Sequence, residues 1–250
     1  MGFISNLFKK KEVSSLVDYN ALHIDMHSHL IPGIDDGSKN MNDSLLLIKG
    51  LQDLGFKKII TTPHIMWGGY NNTPDIILRG RDEVRKALKA NSMEIPFEAA
   101  AEYYLDETFP EKVKNKSLLT MGDNYVLVEL SYLIKSHSAT SYFYTMRNAG
   151  YKVILAHPER YPYYYEDDLE QYQEIKGQGV FFQLNIASLS GVYGGGAKRM
   201  AEKMIDANMI DFISTDLHNT RHLGYINDAL KFPYLEKIMN YEGLMNKVLI

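Results

Sequence analysis

Seven short apolar runs, each followed by a helical stretch or a polar loop, divide this chain, and histidines or carboxylates stand at or just past the ends of nearly all of them. The runs cover residues 22–26, 58–62, 95–103, 125–130, 152–156, 180–185 and 212–215. Each has the length and the β-branched or aromatic content of a buried strand. Helical stretches separate them at 41–54, 74–90, 138–149, 168–176 and 196–208. Asn40 or Asn42 is placed to cap the first of these helices, and Thr73 caps the second with Pro74 in its first turn. Repeated β-α units with near-continuous apolar strands predict a parallel sheet, and seven of them predict a distorted (β/α)7 barrel in the α/β class. A doubly wound open sheet is the second option. The tail over 230–250, broken by Pro233, reads as a closing helix.

The polar residues then fall where such a barrel gathers side chains, at the C-terminal ends of its strands. His27 and His29 follow the first run two residues apart, so an extended backbone points both imidazoles to one side. Asp36 precedes Gly37 in the next turn. Pro63 fixes the chain before His64, Glu102 ends the small-residue run Ala99-Ala100-Ala101, and Glu129 ends Val126-Leu127-Val128. His157 follows the fifth run, and Asp216 and His218 follow the seventh. Burying so many carboxylates and imidazoles at one rim costs several kcal/mol per uncompensated charge, on the order of the usual penalty for an unpaired buried ion. Cations relieve that cost, so a polynuclear metal centre is expected. His23, His137 and His222 fall outside the pattern and read as structural residues or as partners of ligands.

Composition removes other chemistries. The 250 residues include no cysteine, which excludes disulfides, thiolate metal ligands and a cysteine nucleophile. Ligands must be nitrogen or oxygen, a set that suits Mn²⁺, Fe or Zn²⁺. A net charge of -4 disfavours nucleic acid as a partner. No apolar run is long enough to cross a bilayer. Residues 1–20 read as an N-terminal extension and 21–250 as the metal-binding domain. The Phe3, Ile4, Leu7 and Phe8 face of the extension, followed by Lys9-Lys10-Lys11, reads as a frayed terminus or a weak anchor at an anionic membrane surface. A cytoplasmic chain, peripheral at most, is expected.

The joint pattern of His27-x-His29, Asp36-Gly37, Thr62-Pro63-His64, Ala101-Glu102-Tyr103-Tyr104, Val128-Glu129-Leu130, Ala156-His157-Pro158-Glu159-Arg160-Tyr161 and Asp216-x-His218-Asn219 resembles the polymerase-and-histidinol-phosphatase (PHP) superfamily. Within it, the chain is most similar to the manganese-dependent protein-tyrosine phosphatases of the CpsB/CapC type that serve capsule and exopolysaccharide synthesis. That resemblance implies a (β/α)7 barrel with three metal ions. One would be held by His27, His29, Glu102 and Asp216. Glu102 would bridge to a second, held also by Glu129 and His157, and Asp36, His64 and His218 would hold the third. It also implies a phosphotyrosine protein substrate, specifically the tyrosine-rich tail of a membrane-bound bacterial tyrosine kinase. A histidinol-phosphatase-like enzyme for small metabolites and a non-catalytic metal-binding regulator are the alternatives.

Arg160 and Arg221, each three residues past a candidate ligand, are placed to fork onto phosphate oxygens. Pairing with a neighbour such as Glu159 is the plainer role for Arg160. Tyr161, Tyr163, Tyr164 and Tyr165 either stack on a phosphotyrosine ring or simply span wet and dry surroundings. The loops at 67–72, 106–123 and 189–196 are expected to shape the entrance. Gly194-Gly195-Gly196 reads as a turn rather than a phosphate loop, since the full signature is missing.

Overall fold

The computed structural model describes residues 18–166 and 169–250. The apolar face at Phe3, Ile4, Leu7 and Phe8 and the helix start expected at Asp168 therefore lie outside the described residues. Among the described residues no helix is long and apolar enough to cross a membrane.

All paired strands run parallel. β1 (Ile24–Asp25), β2 (Lys58–Thr61) and β4 (Phe97–Ala99) form one ladder in the order β1-β2-β4. β3 (His64–Ile65), β5 (Glu102–Tyr104), β6 (Tyr125–Glu129), β7 (Lys152–Ala156), β8 (Phe181–Asn185) and β9 (Phe212–Ser214) form a second, in that order. β2 and β3 are one strand interrupted at Thr62-Pro63, and β4 and β5 are one strand interrupted at Ala100-Ala101. Seven strands result among the described residues, as the sequence predicts. Pro63 has no N–H to give, yet its carbonyl still accepts from the Glu102 N–H at 3.2 Å, so the two interrupted strands stay in register across the break.

The first and last strands meet at a seam. Ser28 and Leu217 form an isolated parallel bridge, the Asp216 N–H donates to the His27 carbonyl (2.8 Å) and the His29 N–H to the Leu217 carbonyl (2.9 Å). Lower down, the ladder is replaced by side chains. Ser214 Oγ accepts from the N–H groups of Met26 and His27, both at 2.9 Å, and itself donates to Asp25 Oδ1 at 2.6 Å.

Helices pack outside. α1 (Met41–Asp53) is capped by Asn40, whose side chain accepts from the Asp43 N–H, and α2 (Pro74–Ala90) by Thr73, with Pro74 opening the helix. α4 (Ala139–Asn148), α5 (Glu170–Gly177), α6 (Gly195–Asp206) and α8 (Pro233–Met239) fall on the expected segments. Two helices were not anticipated: α3 (Phe109–Lys114), within the supposed loop 106–123, and α7 (Thr220–Ala229), after the last strand.

Strand alternation divides the interior in two. Val126, Val128, Val153 and Leu155 face outward into the layer between strands and helices. Tyr125, Leu127, Ile154, Ala156 and Phe212 face inward, with Ile24, Met26 and Ile60, and fill the lower barrel. The same inward register, carried one or two residues further up each strand, places Glu129, Glu102, Gln183 and Asn185 above that apolar plug. The tail closes the opposite end: buried Asn246 accepts from the Ile213 N–H (3.0 Å) and donates to the Ile213 carbonyl (2.7 Å).

Candidate metal centre

All nine nitrogen and oxygen ligands expected from the sequence converge at the upper rim. Glu102 stands at the centre. Its Oε2 lies 3.1 Å from His27 Nε2, 3.4 Å from His29 Nε2 and 3.2 Å from His64 Nδ1, while Oε1 lies 3.1 Å from His157 Nε2. Asp216 Oδ1 is 3.3 Å from His27 Nε2 and 3.5 Å from His29 Nε2. Glu129 Oε1 is 3.5 Å from His157 Nε2. Asp36 Oδ1, the most exposed of the set, is 3.3 Å from His218 Nε2 and 3.5 Å from His64 Nε2.

Four overlapping groups have ligand atoms mutually within 4.8 Å: His29, Asp36, His64 and His218; His27, His29 and Asp216; His27, Glu102 and His157; His64, Glu102 and Glu129. His27, His29 and His64 thus each stand within reach of residues assigned to a second ion, which the simple partition expected from the sequence does not include. Two candidate ligands, His157 (φ 32°) and Asp216 (φ 49°), hold left-handed backbone, a strain that concentrates where side chains must be aimed.

The donor set fits cations. Glu102 Oε2 and His64 Nδ1 are buried and have no hydrogen-bond partner, although each costs free energy in that state. Three imidazoles have their far nitrogen committed: His27 Nδ1 to Gln183 Oε1 (2.8 Å), His29 Nδ1 to Asp35 Oδ2 (2.7 Å) and His218 Nδ1 to the Asp216 carbonyl (2.8 Å). Each of those partners accepts, so Nδ1 donates and Nε2 faces the cluster, the orientation that metal-ligating histidines use. Electrostatics agree. Burial alone would raise the Glu102 carboxyl, but His27 and His64 outweigh it and hold the group well below its usual range. Burial would lower His27, yet Glu102 and Asp216 bring it up to about 9. Glu129 is pushed up by burial and by the charge of Glu102.

A cleft of about 290 Å³ opens above the cluster, lined by Asp36, His64, Glu102, Glu129, His157, Asp216 and His218 on the floor and by Met66, Tyr104, Tyr132, Leu133 and Arg160 on the walls. Arg160 Nη1 donates to Asp216 Oδ2 at 2.7 Å, not to Glu159. Glu159 is instead buried, accepting from the Asn185 N–H (3.1 Å) and the Ser188 hydroxyl (2.6 Å). Arg221 stands apart: Asn219 caps α7 by accepting from the Arg221 and His222 N–H groups, and Arg221 is exposed on the helix's first turn, outside the cleft lining.

The tyrosine run is scaffold. Tyr161 donates to the Ala156 carbonyl (3.1 Å) and accepts from the Leu130 N–H (3.0 Å), and Tyr163 donates to the Ser131 carbonyl (2.9 Å). Tyr165 lies against Gly196, where an added Cβ would meet its ring at 3.1 Å or less, so the third glycine of Gly194-Gly195-Gly196 makes room for packing. The aromatic groups near the cluster are others: Tyr132, whose hydroxyl lies 3.1 Å from His157 Nδ1, and Tyr70, stacked on His64 with centroids 5.3 Å apart. His23 sits exposed in a left-handed turn (φ 64°) before β1 rather than on the strand, and His137 is exposed. The His222 ring stands edge-on to His218 at 5.6 Å.

Residues 23–242 match the family described as "Capsular polysaccharide synthesis, CpsB/CapC". The chain belongs to the CpsB/CapC family. Among its relatives, the tyrosine-protein phosphatase YwqE of Bacillus subtilis (strain 168) is 28% identical over 199 residues, covering 79% of this chain and 78% of YwqE. The tyrosine-protein phosphatase CpsB of Streptococcus agalactiae is 26% identical over 202 residues, covering 78% and 83%. Crystal structures of YwqE from Bacillus subtilis and CpsB from Streptococcus pneumoniae, described as unique metal-dependent tyrosine phosphatases, provide a chain that superposes with a TM-score of 0.77 at 26% identity over 89% of each chain. The α/β fold described above is therefore that of a solved relative over most of its length.

Proposed function

We propose that this chain is a metal-dependent phosphomonoester hydrolase that removes phosphate from protein phosphotyrosine. The observation that carries the reading is the convergence of nine hard ligands beneath a cleft whose wall presents Arg160, in a chain of the CpsB/CapC family. His27, His29, Glu102 and Asp216 would hold one ion; Glu102, Glu129 and His157 a second; Asp36, His64 and His218 a third. Manganese is the metal the family resemblance favours, and mixed imidazole and carboxylate donors suit it, with Fe or Zn²⁺ as the other candidates. When bound, such cations acidify water and neutralise charge on a phosphoryl group.

The chain's own groups do the rest. Gln183, Asp35 and the Asp216 carbonyl hold Nδ1 of His27, His29 and His218 and so turn Nε2 of each ring toward the cluster. Arg160 sits beside the floor, where its guanidinium would fork onto phosphate oxygens, a geometry that guanidinium favours over ammonium. Met66, Tyr104, Tyr132 and Leu133 give the cleft apolar and aromatic walls for the leaving tyrosine ring. With no cysteine in the chain, a thiol phosphoenzyme is excluded. The substrate we infer is the tyrosine-rich tail of a membrane-bound bacterial kinase governing capsule or exopolysaccharide export. A cytoplasmic catalytic domain over residues 21–250 would act on it.

Metal analysis paired with a phosphotyrosyl-peptide assay tests this, on the native chain and on His29→Ala. Turnover is expected with added Mn²⁺, lost on chelation and in the variant, with bound metal reduced and folding kept. Phosphate release from histidinol phosphate but not from the peptide would shift the assignment to a metabolite phosphatase. Stoichiometric metal without turnover on either would point to a regulator.

A further inference from the structure

Arg160 is held by more than its carboxylate partner. Its guanidinium carbon lies 4.0 Å from the ring centroid of Tyr193 and 5.0 Å from that of Tyr132. Tyr193 comes from the connection between β8 and α6, remote in sequence from both Arg160 and the candidate ligands. Its hydroxyl accepts from Asn185 Nδ2 at 3.3 Å, and the same amino group donates to Asp216 Oδ2 at 2.8 Å. Asp216 Oδ2 in turn accepts from Arg160 Nη1. Tyr193, Asn185, Asp216 and Arg160 therefore close a ring of contacts around one planar cation. Tyr193 is only half-buried, so its nearest stacking partner is a charge at the cleft wall rather than an apolar core.

A free arginine side chain samples many rotamers, and an anion that selects one of them loses affinity for the ordering. A ring face beneath the guanidinium removes that loss in advance and favours the cation electrostatically. We infer that Tyr193 is a positioning residue: its ring face pre-sets Arg160 toward a phosphate group in the cleft. This inference rests on the proposed phosphate role of Arg160.

The test uses the full metal-loaded chain and four variants: Tyr193→Phe, Tyr193→Leu, Arg160→Ala, and Arg160→Ala combined with Tyr193→Leu. The readouts are bound metal, kcat and KM on a phosphotyrosyl peptide, and the inhibition constant of inorganic phosphate. Phenylalanine keeps the ring face, so phosphate inhibition is expected within about twofold of native, whereas leucine keeps bulk without a π face and is expected to weaken it about tenfold, with KM rising in parallel. In the Arg160→Ala background the leucine change is expected to add less than about twofold, because the two residues act as one unit. A leucine variant that binds phosphate like native protein overturns the inference. So does a leucine effect undiminished without Arg160, or a loss of fold or metal in Tyr193→Leu, which would assign the ring to the scaffold. Unchanged phosphate inhibition in Arg160→Ala would instead overturn the role given to Arg160 itself, a distinct result.

Discussion

Asp35 shows how one side chain can organise several ligands at once. Its Oδ2 takes the His29 Nδ1 proton and also accepts from the His64 N–H at 3.1 Å, while Oδ1 accepts from the Gly37 N–H at 3.0 Å. Asp35→Ala is expected to lower metal affinity about 10- to 100-fold without removing a ligand; competition against a chelating dye measures it, and native affinity would refute the role. Glu159 offers a second residue-level outcome. Burial pushes its carboxyl up to about 7 from an ordinary 4.5, so between those values the folded chain keeps a proton that the unfolded chain has released. Stability from this group therefore falls as pH rises from about 4.5 to about 7, by at most about 3 kcal/mol. Urea titrations of chelated protein at pH 5 and 7.5 should show a drop that is smaller in Glu159→Gln; equal drops would dismiss the carboxyl as its source. The convergence of the nine candidate ligands was legible because imidazole and carboxylate at strand ends have few other uses in a buried rim. Asp35, Gln183, Asn185, Tyr132 and Tyr193 were not, since amides and phenols carry no comparable signature. Gln183 and Asn185 still had a signal: they stand two residues apart on β8, on the inward face that the strand's alternation defines.

Strand positions were readable from apolar runs, but their interruptions were not. Nothing in Ile59-Ile60-Thr61-Thr62 announces that the ladder is interrupted at Pro63, although a proline within a strand always leaves one donor missing. α7 was overlooked despite Leu223, Ile226 and Leu230 at helical spacing, because Gly224 weakens the intrinsic preference and Asn219 reads equally as loop or cap. That helix start is what carries Arg221 away from the cleft, so a missed element became a misplaced side chain. The connection from β1 to α1 is the most constrained of the loops. A Cβ on Gly37 would overlap the His29 carbonyl oxygen and come within 2.5 Å of the His29 Cβ. Gly37→Ala is expected to displace His29 and Asp36 together, costing roughly 1–3 kcal/mol of stability along with bound metal. Native metal content and an unchanged urea midpoint would show the loop to be more pliant than its packing implies.

At the level of the whole chain, closure depends on side chains as much as on the ladder. Asn246 supplies the backbone partners that the β9 strand lacks at its lower end, in a buried position. Asn246→Ala leaves both groups of Ile213 unpaired and is expected to cost about 3 kcal/mol, near the upper range for a buried orphan; a chemical-denaturation midpoint indistinguishable from native would contradict it. The tail was anticipated as a closing segment, but its asparagine clasp was not, since a lone polar residue near a terminus ordinarily belongs to solvent. The seam at the other end has its own consequence. His27 and His29 reach the cluster from the first strand, Asp216 and His218 from the last, so a ribosome must deliver residues 27 through 218 before the site can exist. A polypeptide lacking its seventh strand holds only part of the cluster, which is complete only when the two edges of the seam have joined.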